Sequence, residues 1–250
     1  MLPVFVLTLL LPLIVIAMLW RRARRPFGGW LATFVLALGV VAFAFFVAPW
    51  GMFGLPARYA LVVLFAIAAL VSLRREPAPD ARQESPVRAV LKILLGLTIG
   101  SAALTAIQGR AVPAGAIDLA FPARGGAFLV AHGGSTAASN MYHVNAARMY
   151  TVDLVKLNGA GLQSSEPYGV LSPCDGTVKA ADERVVIQCR DADVWLENVQ
   201  QISVGVGAPV RAHQLIGLAL LVSVHAERAG HAVPARFDGR WLVRNDLVRR

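Results

Sequence analysis

Apolar residues are unevenly distributed along this chain. Four long apolar runs lie in its first 108 residues, at positions 2–20, 30–47, 55–73 and 89–107. A helix needs about 20 mostly apolar residues to cross a bilayer, so each run predicts a membrane-spanning helix. From residue 109 onward the apolar runs are short, and glycine, proline, aspartate and asparagine separate them. The pattern predicts two parts, a four-helix membrane region over 1–108 and a globular domain over 109–250.

Basic residues predict how these helices are oriented. The loop after the first run reads RRARR (21–25), and the loop after the third run is also rich in arginine. Cytoplasmic loops carry the excess of Lys and Arg, so both loops are expected in the cytoplasm. The first run has its charges after it and no small-residue cleavage site, so we expect a retained helix and not a signal peptide. The C-terminal domain is then expected on the periplasmic, extracytoplasmic side of a bacterial cytoplasmic membrane.

Composition and charge agree with this division. Hydrophobic residues make up 56% of the chain, and its mean hydropathy of +0.59 is too high for a soluble domain. Residues 1–108 hold ten Lys and Arg against three Asp and Glu, whereas residues 109–250 hold fourteen against twelve. The formal net charge of +9 therefore comes mainly from the membrane region. No basic face interleaved with aromatic residues is evident, so the expected partner is the lipid bilayer and not nucleic acid.

The C-terminal part consists of short β-rich runs, among them AFLVAH, YTVDLVKL, RVVIQC, LLVSVHA and ARFDGRWLV. Their spacing predicts an all-β sandwich or a partly open barrel. The segment SPCDGTVKAADERVVIQC predicts a hairpin with its turn at 181–184. Cys174 and Cys189, the only cysteines, flank this hairpin. In an exported domain they predict a disulfide, while two unpaired buried cysteines or a zinc pair remain open as alternatives.

Several segments of this domain resemble a known family. NMYHVNAARMYTVDLVKLNGAG, YGVLSPCDGTVKAADE, VWLENVQQISVGVGAPVRAHQLIG, VSVHAER and VPARFDGRWLVRNDL resemble the lysostaphin/LytM-type zinc metallopeptidases, and particularly a membrane-anchored bacterial branch. The resemblance covers residues 132–248. It implies a LytM-like β-sheet core of the duplicated hybrid type, a single zinc ion, and cleavage of the peptide cross-links of peptidoglycan.

The resemblance also assigns candidate site residues. The family holds zinc with a histidine, an aspartate and the second histidine of an H-x-H strand, and leaves one position open for water. His143 and Asp153 match the first two ligands. Asn198 stands where a catalytic histidine is expected, and an amide cannot accept and return a proton as an imidazole does. The H-x-H positions hold Leu221 and Ser223 instead of histidines.

His225 lies two residues beyond that pair and allows two interpretations. In the first, both strand histidines are lost and the site is degenerate. In the second, deletion of the preceding loop has let the strand slide by two residues. A slide by two residues leaves each side chain on the same face of the sheet. His143, Asp153 and His225 would then be three zinc ligands. Outside metal chemistry, Asp153 could instead pair with Arg148.

The sequence therefore predicts a membrane-anchored, peptidase-like domain that is catalytically degenerate. It would bind cell-wall peptides or regulate a wall hydrolase, and its two remaining ligands would make at most a weak zinc site, from which zinc could be lost. The alternative is an active zinc metalloendopeptidase that uses His143, Asp153 and His225. A serine–histidine pair is excluded, because Ser223 and His225 would lie ~6.5 Å apart along a strand. His132, beside two glycines, and Arg244, in the FDGRWLVRND ending, are expected to have structural roles in turns and ion pairs.

Overall fold

The computed structural model describes residues 2–23, 27–76 and 84–250. The chain divides into two compact units, Met1–Leu104 and Thr105–Arg250, which we call the helical unit and the β unit. The division falls one helical turn before residue 108, because the end of the last long helix packs with the β unit. There the Thr136 hydroxyl donates to the Thr105 carbonyl oxygen at 2.9 Å. Parts of the two basic loops, 24–26 and 77–83, lie outside the described residues.

The four predicted helices lie in the helical unit, except for the last turn of the fourth, which belongs to the β unit. They are long and apolar enough to cross a membrane, and they span Pro3–Arg21, Phe27–Val47, Leu55–Arg74 and Pro86–Gln108. This confirms the four predicted helices, with ends shifted by a few residues. A short π-helical segment, Val6–Leu10, lies within the first helix. A single-turn helix, Trp50–Phe53, connects the second and third.

Close contacts join the helices of this unit. The Trp30 indole N–H donates to the Ser72 hydroxyl at 2.9 Å and links the second helix to the third. The second and fourth helices approach at backbone distance, since a Cβ added at Gly39 would lie 2.0 Å from the carbonyl oxygen of Gly96. Near the helix ends, Glu84 forms ion pairs with Arg22 at 2.8 Å and with Lys92 at 2.6 Å.

The β unit is built from short strands, which confirms the predicted all-β class. In chain order the strands are β1 (Ile117–Leu119), β2 (Ala123–Arg124), β3 (Ala127–His132), β4 (Val152–Leu157), β5 (Tyr168–Leu171), β6 (Gly176–Ala181), β7 (Arg184–Gln188), β8 (Asp193–Glu197), β9 (Pro209–Val210), β10 (Leu215–Ala219), β11 (Leu221–Arg228), β12 (His231–Val233), β13 (Ala235–Phe237) and β14 (Leu247–Arg249). They form a large sheet of order β14-β3-β4-β11-β8-β7-β6-β9 with β12 on β11, a sheet of order β10-β5-β2, and a parallel pair β1-β13.

The core of the β unit lies between the large sheet and the β10-β5-β2 sheet. Phe128 of β3 packs edge-on against Phe121 and against Tyr168 of β5, at ring distances of 5.7 and 5.0 Å. The Tyr168 hydroxyl is buried. It donates to the Leu154 carbonyl oxygen at 2.7 Å and accepts from the Val222 N–H at 3.0 Å. One side chain of the small sheet therefore ties together β4 and β11 of the large sheet.

The predicted hairpin is formed by β6 and β7, with Asp182 and Glu183 between them. Cys174 precedes β6 and Cys189 follows β7. The structure joins these two cysteines in a disulfide, with their Cα atoms 5.9 Å apart. Both side chains are partly buried against the core of the β unit. The disulfide therefore closes the open end of the hairpin.

Candidate functional site

A row of polar residues crosses one face of the large sheet. Adjacent strands place the following residues opposite one another in order: His132 on β3, Asp153 on β4, Ser223 on β11, Glu197 on β8 and Arg184 on β7. Residues opposite each other in antiparallel strands present side chains to the same face. The row therefore brings the predicted ligand Asp153 beside Ser223, in the middle of the sheet.

Asp153 is the buried centre of this row. Asp153 is 3% exposed, and its Oδ2 accepts a hydrogen bond from the Tyr142 hydroxyl at 3.2 Å. Its Oδ1 is buried and has no hydrogen-bond partner among the described residues. Burial raises the pKa of the Asp153 carboxyl, although the hydroxyls of Ser223 and Tyr142 and the charge of Arg148 partly oppose that shift. Buried carboxylates prefer the protonated form unless charges or donors compensate.

Two groups without imidazole chemistry occupy the expected histidine positions next to Asp153. Ser223 is 1% exposed and lies opposite Asp153. The Asn198 amide donates to the Ser223 hydroxyl at 3.3 Å, from an exposed residue with φ of 63° just after β8. Leu221, the other expected histidine, is half-buried opposite Val155 and makes no polar contribution. The groups at the two polar positions, Ser223 and Asn198, are therefore a hydroxyl and an amide.

His225 is held away from Asp153. It lies opposite Trp195 of β8, and the two rings stack with centroids 5.6 Å apart and an interplanar angle of 9°. The Arg184 guanidinium lies over the Trp195 ring at 4.5 Å. Glu227, 3.3 Å from His225 Nε2, would favour a charged imidazole. Burial and the charges of Arg148 and Arg184 outweigh it and lower the pKa of His225 to about 4, so the ring is neutral at pH 7.

His143 lies in a single 3₁₀ turn, Met141–Val144, that Asn140 caps by accepting from the Tyr142 N–H at 3.1 Å. The turn directs the Tyr142 hydroxyl to Asp153. The His143 Nδ1 is buried, with no hydrogen-bond partner in the parts of the chain that the structure describes. In the sequence, Tyr142 is distinguished only by its place beside His143. Its hydrogen bond to Asp153 was therefore not predicted.

The structure does not assemble the three predicted zinc ligands. Among residues 2–23, 27–76 and 84–250, no three His, Cys, Asp or Glu side chains are placed to hold one metal ion. Zinc sites in proteins use imidazole, thiolate and carboxylate ligands in tetrahedral geometry. Around Asp153 the neighbours are Ser223, Tyr142 and one imidazole, His132, while His225 is stacked on Trp195. These residues do not fit a zinc ion, and the two-residue slide that would bring His225 opposite Asp153 does not occur.

Arg148 crosses over the same row. Its guanidinium forms an ion pair with Glu197 and lies 4.8 Å from the centre of the Tyr142 ring. The pairing of Asp153 with Arg148 that the sequence left open is thus replaced by pairing with Glu197, the acid two strands away in the row. The alternation of β8, with Asp193, Trp195 and Glu197 on one face, is the pattern that could have indicated this partner. We call Tyr142, Arg148, Asp153, Asn198 and Ser223 the Asp153 cluster.

Several buried polar atoms at and beside the Asp153 cluster have no partner among the described residues. They are the Asp153 Oδ1, the Arg148 Nε, the His143 Nδ1, the His225 Nδ1 and the Trp195 Nε1. Buried donors and acceptors are nearly always paired in folded proteins, and leaving one unpaired costs about 1–3 kcal/mol. The concentration of these unpaired atoms in one part of the β unit makes this part a candidate for hydrogen bonds from a ligand or from ordered water.

Comparisons with known proteins give structural likenesses only. No family model and no curated protein matches the chain. The M23 metalloprotease pseudoalterin, from the deep sea, is 13% identical over 54% of this chain and 99% of that chain, with a TM-score of 0.40. A structure of the SpoIIIAH and SpoIIQ complex is 17% identical over 46% of this chain and 96% of that chain, with a TM-score of 0.38.

A structure of the SpoIIQ–SpoIIIAH pore-forming complex is 20% identical over 33% of this chain, with a TM-score of 0.29. The chain spans only 59% of the length of that protein. One of the solved structures to which this chain is similar is thus a metalloprotease.

Proposed function

We propose that this protein is a non-catalytic, membrane-anchored module that binds cell-wall peptides through the Asp153 cluster. The observation that carries the proposal is the position of Ser223 opposite Asp153, with Asn198 bonded to it. The hydroxyl and the amide that stand where the resemblance expects imidazoles favour binding over metal-dependent catalysis. Regulation of a wall hydrolase would follow if the bound peptide, or the hydrolase itself, competes for this surface.

The chemistry of the Asp153 cluster supports binding. Asp153 Oδ1 would accept from a peptide N–H or an ammonium group that displaces the side chains covering it, and a ligand cation there would reverse the burial effect on its pKa. Arg148 is already paired with Glu197. The two side chains therefore fix each other's positions and add no net charge to the cluster. An extended peptide offers alternating N–H and C=O groups to such a surface, which suits the unpaired atoms of both kinds.

The location of the module is also part of the proposal. Four membrane-capable helices support attachment to a bilayer. The arginine-rich loops favour a cytoplasmic position for the ends of the first and third helices. This would place the β unit outside the cytoplasmic membrane, facing the wall. A disulfide between Cys174 and Cys189 suits an oxidising compartment. A reporter fused after Arg250 that proved active only in the cytoplasm would overturn this placement.

Metal content and peptide binding test the proposal together. The full chain, purified in detergent, is analysed for zinc and titrated with purified peptidoglycan peptides, beside Asp153→Ala and the exposed control Asp182→Ala. We expect no stoichiometric zinc, no cleavage, and peptide binding that only Asp153→Ala removes. Stoichiometric zinc that disappears in Asp153→Ala, together with peptide cleavage, would instead establish the endopeptidase that uses His143, Asp153 and His225. Peptide binding that Asp153→Ala leaves intact would also overturn the proposal.

A further inference from the structure

Arg244 occupies a rigid turn at the edge of the large sheet. The turn over 243–246 is closed by the Asp246 N–H, which donates to the Val243 carbonyl oxygen at 2.9 Å. The Asp246 carboxylate accepts in return from the Val243 N–H at 3.0 Å and forms an ion pair with Arg110 at 2.9 Å. The only acid in this turn is therefore engaged elsewhere, and the turn fixes the position from which the Arg244 side chain extends.

Arg244 lacks the ion pair that its neighbours have. In the same C-terminal segment, Arg236 pairs with Asp118 at 2.6 Å and Arg250 pairs with Asp238. The Arg244 guanidinium is half-buried, and within the described residues no carboxylate lies within ion-pair distance of it and its Nε has no hydrogen-bond partner. Burial lowers the pKa of Arg244. The structural role in ion pairing predicted for Arg244 is thus wrong, because Asp246 pairs with Arg110.

The side-chain partner of Arg244 is a neutral histidine. Its Nη1 lies 3.5 Å from His132 Nδ1. Burial, and then the charge of Arg244, lowers the pKa of His132 to about 4, so the imidazole is neutral at pH 7. With its proton on Nε2, His132 accepts from Arg244 through Nδ1 and keeps one donor. The pair carries a single positive charge, which no acid neutralises in the described part of the chain.

This pair adjoins the Asp153 cluster. His132 lies opposite Asp153 in the β3–β4 pairing, next to an irregularity in the register of those strands. Its ring meets the Tyr142 ring edge-on, with centroids 6.1 Å apart, and the Tyr142 hydroxyl donates to Asp153. Contacts therefore run without interruption from Arg244 through His132 and Tyr142 to the carboxylate at the centre of the cluster.

We infer that Arg244 and His132 bind a free carboxylate of the peptide ligand at the edge of the Asp153 cluster. A guanidinium presents a planar set of N–H donors that matches a carboxylate, and charge-assisted hydrogen bonds of this kind are strong. The single charge of the pair balances a monoanionic carboxylate better than a dianionic phosphate. A buried cation without a counterion costs free energy, which a bound carboxylate would recover. The inference rests on the proposed function, because it names the part of the ligand that the cluster itself does not hold.

A pair of peptides that differ only in charge tests this inference. The full chain in detergent is titrated calorimetrically with N-acetyl-alanyl-alanine, with the same dipeptide as its C-terminal amide, and with inorganic phosphate. We expect the free acid to bind at least about ten-fold more tightly than the amide and than phosphate. The preference should vanish in Arg244→Gln and persist in Arg240→Gln, a nearby exposed arginine. Equal binding of acid and amide, tighter binding of phosphate, a preference that survives Arg244→Gln, or no binding of any probe would each overturn the inference.

A second readout is independent of any ligand. Removal of an unpaired, half-buried charge should leave the melting temperature of Arg244→Gln equal to or above that of the unsubstituted chain. A fall in melting temperature would show that the charge of Arg244 is already balanced in the folded chain and would contradict the inference. The proposed function has its own signature, because Asp153→Ala should abolish binding of the larger wall peptides. Arg244→Gln should weaken only those with a free carboxylate at the contact, so the two proposals can fail separately.

Discussion

Ser223 lies directly opposite Asp153 across the β4–β11 pair, at the position where the resemblance expects a zinc-binding histidine. The side chain that faces Asp153 from this position is therefore a hydroxyl and not an imidazole. A serine hydroxyl is not among the usual ligands of a structural or catalytic zinc ion. Here that hydroxyl accepts from the Asn198 amide, the side chain at another expected histidine position. Two replacements that look independent in the sequence thus contact each other in the structure.

The buried carboxylate of Asp153 should reduce stability, as expected for a residue kept for binding. Asp153→Asn keeps an acceptor for the Tyr142 hydroxyl and removes the charge, so we expect it to stabilise the β unit by on the order of 1 kcal/mol at pH 7. Because the pKa of Asp153 is raised in the folded chain, the folded state binds its proton more tightly than the unfolded chain does. The stability of the β unit therefore falls as pH rises from 3.8, the ordinary pKa, to the raised pKa of the folded chain. The gain in Asp153→Asn should shrink as pH falls below the raised pKa of Asp153 and should be lost below pH 3.8.

Thermal melts of Asp153→Asn at pH 7 and at acidic pH measure this effect, with Asp182→Asn as the exposed control. The control should melt like the unsubstituted chain at both values. A lower melting temperature for Asp153→Asn at pH 7 would mean that the charged carboxylate is compensated by a partner, and the burial argument would fail.

Acid should destabilise the β unit through two histidines. The pKa values of His132 and His225 are both lowered from 6.5 to about 4, in each case mainly by burial. A proton then binds the unfolded chain more tightly than the folded one. The stabilisation is complete above pH 6.5 and is lost as pH falls from 6.5 to 4. The loss should be on the order of 1 kcal/mol for His132, which is half-buried and partly screened by solvent, and larger for His225, which is 4% exposed.

Unfolding curves recorded across that interval check the prediction. His225→Gln should flatten the dependence of the melting temperature on pH between 6.5 and 4, whereas His213→Gln, at an exposed turn, should leave it unchanged. An unchanged slope in His225→Gln would show that the imidazole takes up its proton without cost, for example by pairing with Glu227.

Local patterns in the sequence were sufficient to predict the strands that alternate or run apolar without interruption. The run AFLVAH coincides with β3, Ala127–His132, and the hairpin of β6 and β7 has its turn where Asp182 and Glu183 were expected. The run ARFDGRWLV was predicted as one strand but forms only Ala235–Phe237. Asp238 and Gly239 both adopt positive φ, 48° and 75°, and turn the chain there. The turn-forming pair Asp-Gly outweighed the surrounding β-rich residues.

The site could be predicted only in part, because it depends on register between strands distant in sequence. The alternation along β11 shows that Ser223 and His225 share a face, but it cannot show which of them meets Asp153. That depends on where β10 ends and β11 begins, at Leu220. Pairing of Arg148 with Glu197 likewise required knowing that β8 lies beside β11. The register between two strands that are distant in sequence cannot be predicted from the residues of either strand alone.

The disulfide should contribute strongly to the stability of the β unit. Cys174 and Cys189 are separated by 15 residues, and closing a loop of that length stabilises a fold by ~3 kcal/mol. The double variant Cys174→Ser, Cys189→Ser should therefore melt well below the unsubstituted chain. Reductant should lower the melting temperature of the unsubstituted chain and leave that of the double variant unchanged. A chain isolated from membranes with both thiols open to alkylation would contradict both this prediction and the proposed periplasmic location.

Glycine at position 39 should be required for the approach of the second and fourth helices. A Cβ at Gly39 would lie 2.0 Å from the Gly96 carbonyl oxygen, and a backbone atom in a helix cannot move aside as a side chain can. Gly39→Ala should therefore separate the helices locally and destabilise the helical unit by about 1–3 kcal/mol. Gly28→Ala is the matched control, because a Cβ there meets nothing within 4 Å. It should be neutral, or stabilising by up to about 1 kcal/mol through the higher helix propensity of alanine. Circular dichroism melts of the full chain in one detergent compare the two variants, and equal melting temperatures would show that this glycine contact does not hold the helices together.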